Sequence, residues 1–336
     1  MATLNSNSLT LKDLAEQPEN KESKDIINLL TQYNPVLEDA PAIPCNKGSY
    51  HLTTVLTGLP TPTWGKLYKG IPATKSKKQT VKDTTGFLEG ASEVDERLIE
   101  DFEKAEDKAS MRMTEALAHL EAMAQEGATA LFYHDTDTDP ERPMGLAPRF
   151  NDLSAENGGQ IISGGGAGSD NTSMWMITWD PKTCHLIYPN KGTVGIQRRD
   201  RGAVNKTDSN GDTYHVLREE FTWHMGLSLR DWRYVTRGCN IDVSDLTVDA
   251  SAGANLFNVL TEMYYKHHGR RMSMGKTCIY VNTTIMKFLD YQARNNNDKL
   301  QLTYAQNSVD QQEVLTYRGI PIKECDAILD TEETVS

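Results

Sequence analysis

Between residues 93 and 126 the chain contains neither proline nor glycine, and its apolar residues keep helical time. Val94, Leu98, Phe102, Ala105, Ala109, Met113, Ala116, Leu120 and Met123 recur every three or four residues, a mean of about 3.6. Ser92 can cap the start with Asp95 three residues on, and Gly127 can end it. At 1.5 Å per residue this predicts a helix over residues 93–127, roughly 50 Å long. A small globule has no use for such a rod. The opposite face of its first half is acidic, from Glu93 to Asp107, and reads as a solvated face. An amphipathic span followed by β-rich sequence predicts a spine on which sheets are laid, rather than a coiled coil.

The segments before the helix do not look like domains. Residues 1–47 read as an arm: short helical patches at Leu9–Ala15 and Ile26–Leu30 are punctuated by Pro18, Pro35, Pro41 and Pro44. Proline drives the preceding residue into extended conformations, so a compact helical domain is excluded here. Such an arm needs a surface to lie on, its own body or a neighbour's. Residues 48–92 form a long excursion with too few regular apolar positions for a core. Trp64 and Tyr68 stand among Pro60, Pro62, Gly65 and Gly70, followed by a basic patch of Lys75, Lys77 and Lys78. A loop this long inside a folded domain implies function. The plain reading is a poorly ordered linker, but two aromatics flanked by strand-forming residues favour a hairpin that docks on a partner.

After the helix, residues 128–240 are β-rich, with strands expected at Met174–Trp179, His185–Tyr188, Val194–Arg199, Tyr214–Leu229 and Tyr234–Ile241. Asn210-Gly211 and Pro189–Gly192 mark turns, so the sheet is expected to be mainly antiparallel. Residues 241–336 turn to mixed α/β. Helices are expected at Asn255–Lys266 and Thr284–Arg294, a buried strand at Cys278–Val281, and two strands meeting at Arg318-Gly319. Asp330–Ser336 reads as a polar tail. The fold class is α+β.

Charge and motifs then narrow the function. The 336 residues carry 35 Lys and Arg against 47 Asp and Glu, a net charge of −12. Phosphate backbones need a basic face, so this chain is not built to wrap DNA. Five cysteines at long gaps suggest reduced thiols, not a bridge framework or a zinc knuckle. No apolar run approaches the ~20 residues of a membrane span, and the polar N-terminus is not a secretory signal. Gly269–Thr277 resembles a phosphate loop, but five residues separate Gly269 from Gly275 where four are required, and its helix-before-strand context is inverted. The glycine-rich stretch Asn157–Gly168 leads into a strand and reads as a mobile loop. Asp135, Asp137 and Asp139 begin like a calcium loop, but Pro140 and Leu146 stand where glycine and glutamate belong. His267 and His268 lack the spacing of a zinc site. No catalytic, cofactor-binding or metal-binding residues are assigned. A soluble nucleotide-binding enzyme using Gly269–Thr277 is the alternative class.

An arm, a long excursion, a spine helix, an antiparallel sheet and a mixed terminal region are the parts of a tile. Their order resembles the major capsid proteins of tailed phages built on the Hong Kong 97-type fold. Within that family the similarity points to epsilon-15-like short-tailed phages. Phe221–Asp242 contains Asp231-x-Arg233-x-Val235-x-Arg237-x-x-Asn240-Ile241, with Gly226 ahead of it, and resembles the family's strand pair. Gly319-Ile-Pro321-Ile, followed by Asp326, resembles its C-terminal strand. Cys278–Asn282 resembles the strand before a helix in the axial domain. The resemblance implies an N-terminal arm (1–47), an extended loop (48–92), a spine helix (93–127), a β-rich peripheral and axial region (128–240) and an α/β axial domain (241–336).

It further implies a non-enzymatic protein that forms hexamers and pentamers of an icosahedral shell around double-stranded DNA. The expected partners are other copies, a portal, a scaffolding protein and a decoration protein. The expected setting is the virion, assembled in the host bacterial cytoplasm, with no membrane. Another virion or tail protein is the neighbouring alternative. Candidate intersubunit contacts are Trp64, Tyr68, Lys75, Lys77, Lys78, Arg230, Arg233 and Arg237. For the three arginines, ordinary pairing within the chain stays equally open. If the periodic stripe faces a core, Leu120→Asp buries a charge and abolishes soluble folded protein. Soluble, assembly-competent Leu120→Asp protein would place the stripe in solvent.

Overall fold

The computed structural model describes residues 32–100, 105–248, 253–271, 274–295, 302–306 and 313–336. The patches at Leu9–Ala15 and Ile26–Leu30 lie outside them. In chain order the elements are α1 (Val36–Asp39), β1 (Ala42–Pro44), β2 (Tyr50–Gly58), β3 (Lys77–Thr84), β4 (Gly86–Asp95), α2 (Glu96–Glu100) and α3 (Ala105–Tyr133). Next come β5 (Ile161–Ser163), β6 (Asn171–Trp179), β7 (Cys184–Tyr188), β8 (Gln197–Thr207), β9 (Thr213–Leu229) and β10 (Val235–Asp242). The last are α4 (Leu256–Lys266), β11 (Lys276–Val281), α5 (Thr283–Asn295), β12 (Leu302–Gln306), β13 (Glu313–Tyr317) and β14 (Ile320–Glu324). Two compact units result, one of residues 87–127 and 193–224, the other of residues 33–86, 128–192 and 225–336.

In the smaller unit the helical stretch begins at Glu96 and not at 93, because β4 runs on to Asp95. Ser92 and Val94 are buried at alternate positions of that strand, so Val94 fits a period of two as well as 3.6. The cap is Asp95, whose carboxylate accepts from the Arg97 backbone N–H at 3.0 Å. Helix α3 passes through Gly127 to Tyr133, because Ala128, Leu131 and Phe132 carry the buried face onward. Within the stripe Met113 is exposed and Met111 is buried instead. Ala116 and Met123 pack on Phe221, with Leu120 beside them. β8 and β9 form the expected hairpin around Gly211. It is laced by ion pairs: Glu219 takes Arg198 at 2.6 Å and also Arg112, and Glu93 takes Arg218 at 3.1 Å and also Lys206.

The larger unit is organised around β6, all nine of whose residues are buried. It pairs antiparallel with β10 on one side and β11 on the other. The sheet is mainly antiparallel, as expected, with parallel pairings added to it: β1 runs parallel to β7, β5 to β10, and β11 to β14. Helix α5 lies in the chain between β11 and β14, the kind of crossover that parallel neighbours need. Leu256, Leu260 and Met263 of α4 and Ile285 and Leu289 of α5 close the core over Met174, Met176, Ile279 and Val281. The described part of the arm lies on its own unit. Tyr33 N–H donates to Asp326 at 2.8 Å, Asp326 N–H returns to the Tyr33 carbonyl at 3.1 Å, and β1 adds its strand to β7. All five cysteines are free and buried, and burial raises the thiols of Cys45, Cys239 and Cys278 to about 11.

The expected polar tail is in fact a clasp. Glu332 is buried and receives Arg237 at 2.7 Å, the Tyr133 hydroxyl at 2.5 Å and the Ser173 hydroxyl. Asn240 sits at a bulge of β10 with φ of 54°, and its side-chain amide brackets Val335, donating to its carbonyl and accepting from its N–H, both at 2.8 Å. Asparagine is among the few residues that tolerate that backbone region. Nor is the glycine-rich stretch free. Gly158–Gln160 form a 3-10 turn, and the N–H groups of Gly164 and Gly166 donate to the Cys239 and Asn240 carbonyls at 2.7 and 2.8 Å.

Two predictions follow from these buried groups. Truncating one partner of a buried ion pair strands the other, so Glu332→Ala should cost about 3–5 kcal/mol in a denaturant titration. An unchanged midpoint would mean that the tail is not part of the fold. His267, buried between the Thr178 and Thr236 hydroxyls, is lowered by burial and then by His268 to about 4. The unfolded imidazole titrates near 6.5, so only the unfolded state takes the proton between about pH 4 and 6.5. Stability is therefore full above pH 6.5 and falls on acidification, by about 3 kcal/mol at most from this group. His267→Gln should flatten that slope; an identical slope would contradict the assignment.

Candidate functional site

β2 and β3 form a two-stranded sheet of their own, paired from Tyr50↔Thr84 to Gly58↔Lys77. Isolated hairpins are marginal in water, so this one depends on its root. Asp83, near the end of β3, is 2% exposed. Its carboxylate takes Arg149 at 2.8 Å and the Ser228 hydroxyl at 2.9 Å. Arg149 also donates to the carbonyls of Gly145, Met144 and Leu227, so one guanidinium ties β3 to the 144–150 segment and the end of β9. Gly226 belongs to the same root. A Cβ there would lie 2.6 Å from the Thr84 carbonyl oxygen, so glycine alone lets the strands approach. Across the hairpin base, Asn46 brackets Leu52 with two hydrogen bonds, and His51 sits edge-on to His185 at 5.6 Å. Burial, and then the charges of His51 and Arg230, lower His185 to about 4, so this contact is uncharged at neutral pH.

Beyond the root, every residue from 59 to 75 is exposed. Trp64 is 97% exposed and Tyr68 107%, with Leu59, Leu67 and Ile71 open beside them. Trp64 and Tyr68 both stand in this exposed stretch, and Leu59, Leu67 and Ile71 are additions that a reading for aromatics missed. Lys75, Lys77 and Lys78 are exposed on the same arm, and Lys66 and Lys69 join them. No acid occurs between residues 59 and 82, so the tip is positive in a chain of net charge −12. The Lys66–Lys69 turn, closed by a hydrogen bond of 3.2 Å, sets Tyr68 at φ of 64°. Turns that need this conformation at the third position normally use glycine. A tyrosine held there, fully in solvent, is an outlier that the isolated fold does not explain.

The other candidates separate. Arg237 is 3% exposed and spent on Glu332, Ser173 and the Phe150 carbonyl; burial removes it from any subunit edge, a correction to its reading as a contact. Arg233 is paired with Asp231, which also caps the 3-10 turn Trp232–Tyr234. Arg230 is exposed and donates to the Pro181 carbonyl at 3.0 Å. Arg318-Gly319, at φ of 49° and 81°, joins β13 to β14, and Pro321 faces Thr316 across that pair. In Gly269–Thr277 the chain enters strand β11 at Lys276, whose ammonium lies 2.6 Å from Asp39. Burial opposes the charge on Asp39, but hydrogen bonds from Lys276, Lys323 and Tyr280 outweigh it and hold the carboxyl below its ordinary value. That lysine is a structural counter-ion, not a phosphate ligand. Among the described residues no helix is long and apolar enough to cross a membrane.

Comparison with known proteins agrees with this tile-like arrangement. The cryo-EM structure of bacteriophage Epsilon15 matches with 33% identity and a TM-score of 0.78, covering 100% of this chain and 99% of that one. The capsid of bacteriophage JBD30 shares the fold, with a TM-score of 0.52 at 11% identity over 95% of this chain and 99% of its own. No curated protein sequence matches. The fold is of the Hong Kong 97 type, the role is structural and capsid-forming rather than enzymatic, and the place of the protein is the virion. The model of one family, major capsid protein GP7, spans residues 18–336, and the chain belongs to that family.

Proposed function

We propose that the β2–β3 hairpin is the arm by which one copy grips the next in a closed icosahedral shell. The shell consists of hexamers and pentamers around double-stranded DNA. The observation that carries this is the tip itself, five large apolar side chains left in water on a rigidly rooted hairpin. Burying each contributes about 1.5–3 kcal/mol, whereas an exposed lysine pairing with a neighbour's acid contributes about 0–1 kcal/mol. Apolar burial therefore supplies the grip, and Lys66, Lys69, Lys75, Lys77 and Lys78 steer the tip toward an acidic neighbour. Repetition of modest contacts around a closed shell gives stability that no single contact has. The net negative charge suits a container whose wall does not hold its DNA. A portal, a scaffolding protein and a decoration protein are the further partners of this reading, with assembly in the host bacterial cytoplasm.

Replacing residues 59–76 by an Asn-Gly turn should leave a folded chain with an unchanged thermal midpoint and no shells by negative-stain microscopy. Shells of normal size from that variant would overturn the grip. Tyr68→Gly separates fold from assembly more finely. It relieves the positive φ, so stability should hold or rise by about 1 kcal/mol, while the concentration needed for assembly increases. Equal assembly by Tyr68→Gly and the parent chain would remove tyrosine from the contact.

A further inference from the structure

A second cluster lies apart from the hairpin, where the end of α4 meets the β13–β14 turn. Tyr264 and Tyr265 close the helix, the 3-10 turn His268–Arg270 follows, and Arg318 occupies the turn. The Arg270 guanidinium stands 5.7 Å from the Tyr264 ring centre and 4.9 Å from that of Tyr265. Arg318 stands 5.0 and 5.3 Å from the same two centres and 5.4 Å from Tyr317. The two cations thus share two rings and stand no farther apart than two such distances laid end to end. The rings are fixed in turn. Tyr264 meets Tyr317 edge-on at 6.3 Å, and the Tyr317 hydroxyl lies 2.8 Å from that of Thr261.

Among the described residues no carboxylate pairs with Arg270, Arg318, Lys266 or Arg271, although the chain has twelve more acids than bases. Arg270 Nε is shut from solvent without an acceptor, so packing on tyrosine, not an internal acid, holds that head in place. Arg318 is exposed, and its backbone takes a left-handed conformation that favours glycine. Two like charges side by side repel, and aromatic faces only partly offset that. An anion drawn to the exposed Arg318 end of this cluster offsets the repulsion, and the planar fork of arginine matches a carboxylate in particular.

We propose that Arg270 and Arg318 form a preset receptor for a carboxylate of a second copy of this chain. Charge complementarity names the occupant: a sister copy offers a predominantly acidic surface, and DNA is repelled by the same net charge. The inference rests on assembly into a shell, but not on the hairpin. Aromatic stacking holds the guanidinium groups before the partner arrives, so little side-chain entropy is lost on contact.

The double substitution Arg270→Gln with Arg318→Gln should fold with a normal circular dichroism spectrum and thermal midpoint. It should also raise the protein concentration needed for shell formation roughly tenfold at low salt, and less at 0.5 M salt, where screening already weakens the parent. Arg318→Lys supplies a second readout. Assembled and treated with a carbodiimide, it should form an amide between the new amine and an Asp or Glu carboxyl, with loss of water. Mixed isotope-labelled and unlabelled copies then show by mass spectrometry that the link joins two chains. Unchanged assembly of the double variant, or a link only within one chain, overturns the receptor. Normal shells that package less DNA would assign the site to nucleic acid and overturn it equally. If the double variant assembles normally while the Asn-Gly hairpin variant does not, the receptor fails and the hairpin grip stands.

Discussion

A buried carboxylate holds the base of the exposed hairpin. Asp83, sealed from water, accepts Arg149 and Ser228, and through them fixes the base of a hairpin that has no other sheet to lean on. Taking such charges out of water is costly, and the pair is favourable only because Arg149 also satisfies three carbonyls. The arrangement gives rigidity where leverage is needed. A hairpin loose at its root would lose ordering entropy in every contact its tip made. With the root locked, apolar burial at the tip would go mainly to association in the proposed grip.

A second buried polar network stands at the other end of the chain. Arg237, Glu332, Ser173 and Tyr133 form one buried network, and Asn240 brackets Val335. These polar groups of the larger unit are thereby matched to one another, although both ring nitrogens of His185 and the indole N–H of Trp175 are buried without a hydrogen-bond partner. Two groups in the described residues stand without an acidic or apolar partner of their own: the apolar tip with its five lysines, and the tyrosine-stacked pair Arg270 and Arg318, the latter also hydrogen-bonded to Tyr265.

Much of this was legible in sequence where one period dominated. The helix stripe, the β8–β9 turn at Asn210-Gly211 and the Arg318-Gly319 turn depend on local chemistry, and local chemistry is what a sequence displays. Trp64 and Tyr68 were legible for the same reason, as large apolar residues among prolines and glycines. The start of the helix was not, because Val94 satisfies a strand and a helix alike. Parallel pairing of β11 with β14 depends on contacts across forty residues and has no local signature. Glu332 and Arg237 looked like surface charges because nothing in either neighbourhood reveals a partner 95 residues away. The two leucines and the isoleucine of the tip were missed because exposure, not composition, sets them apart.

The central claim is that residues 59–76 are solvent-exposed in one copy and buried by another. Hydroxyl-radical footprinting with mass spectrometry, on unassembled chain and on closed shells, measures this at single side chains. The account predicts that Trp64, Leu67, Tyr68 and Ile71 lose most of their labelling on assembly, while the exposed Val194 of the smaller unit serves as a reference. Equal labelling of those four side chains before and after closure would contradict it.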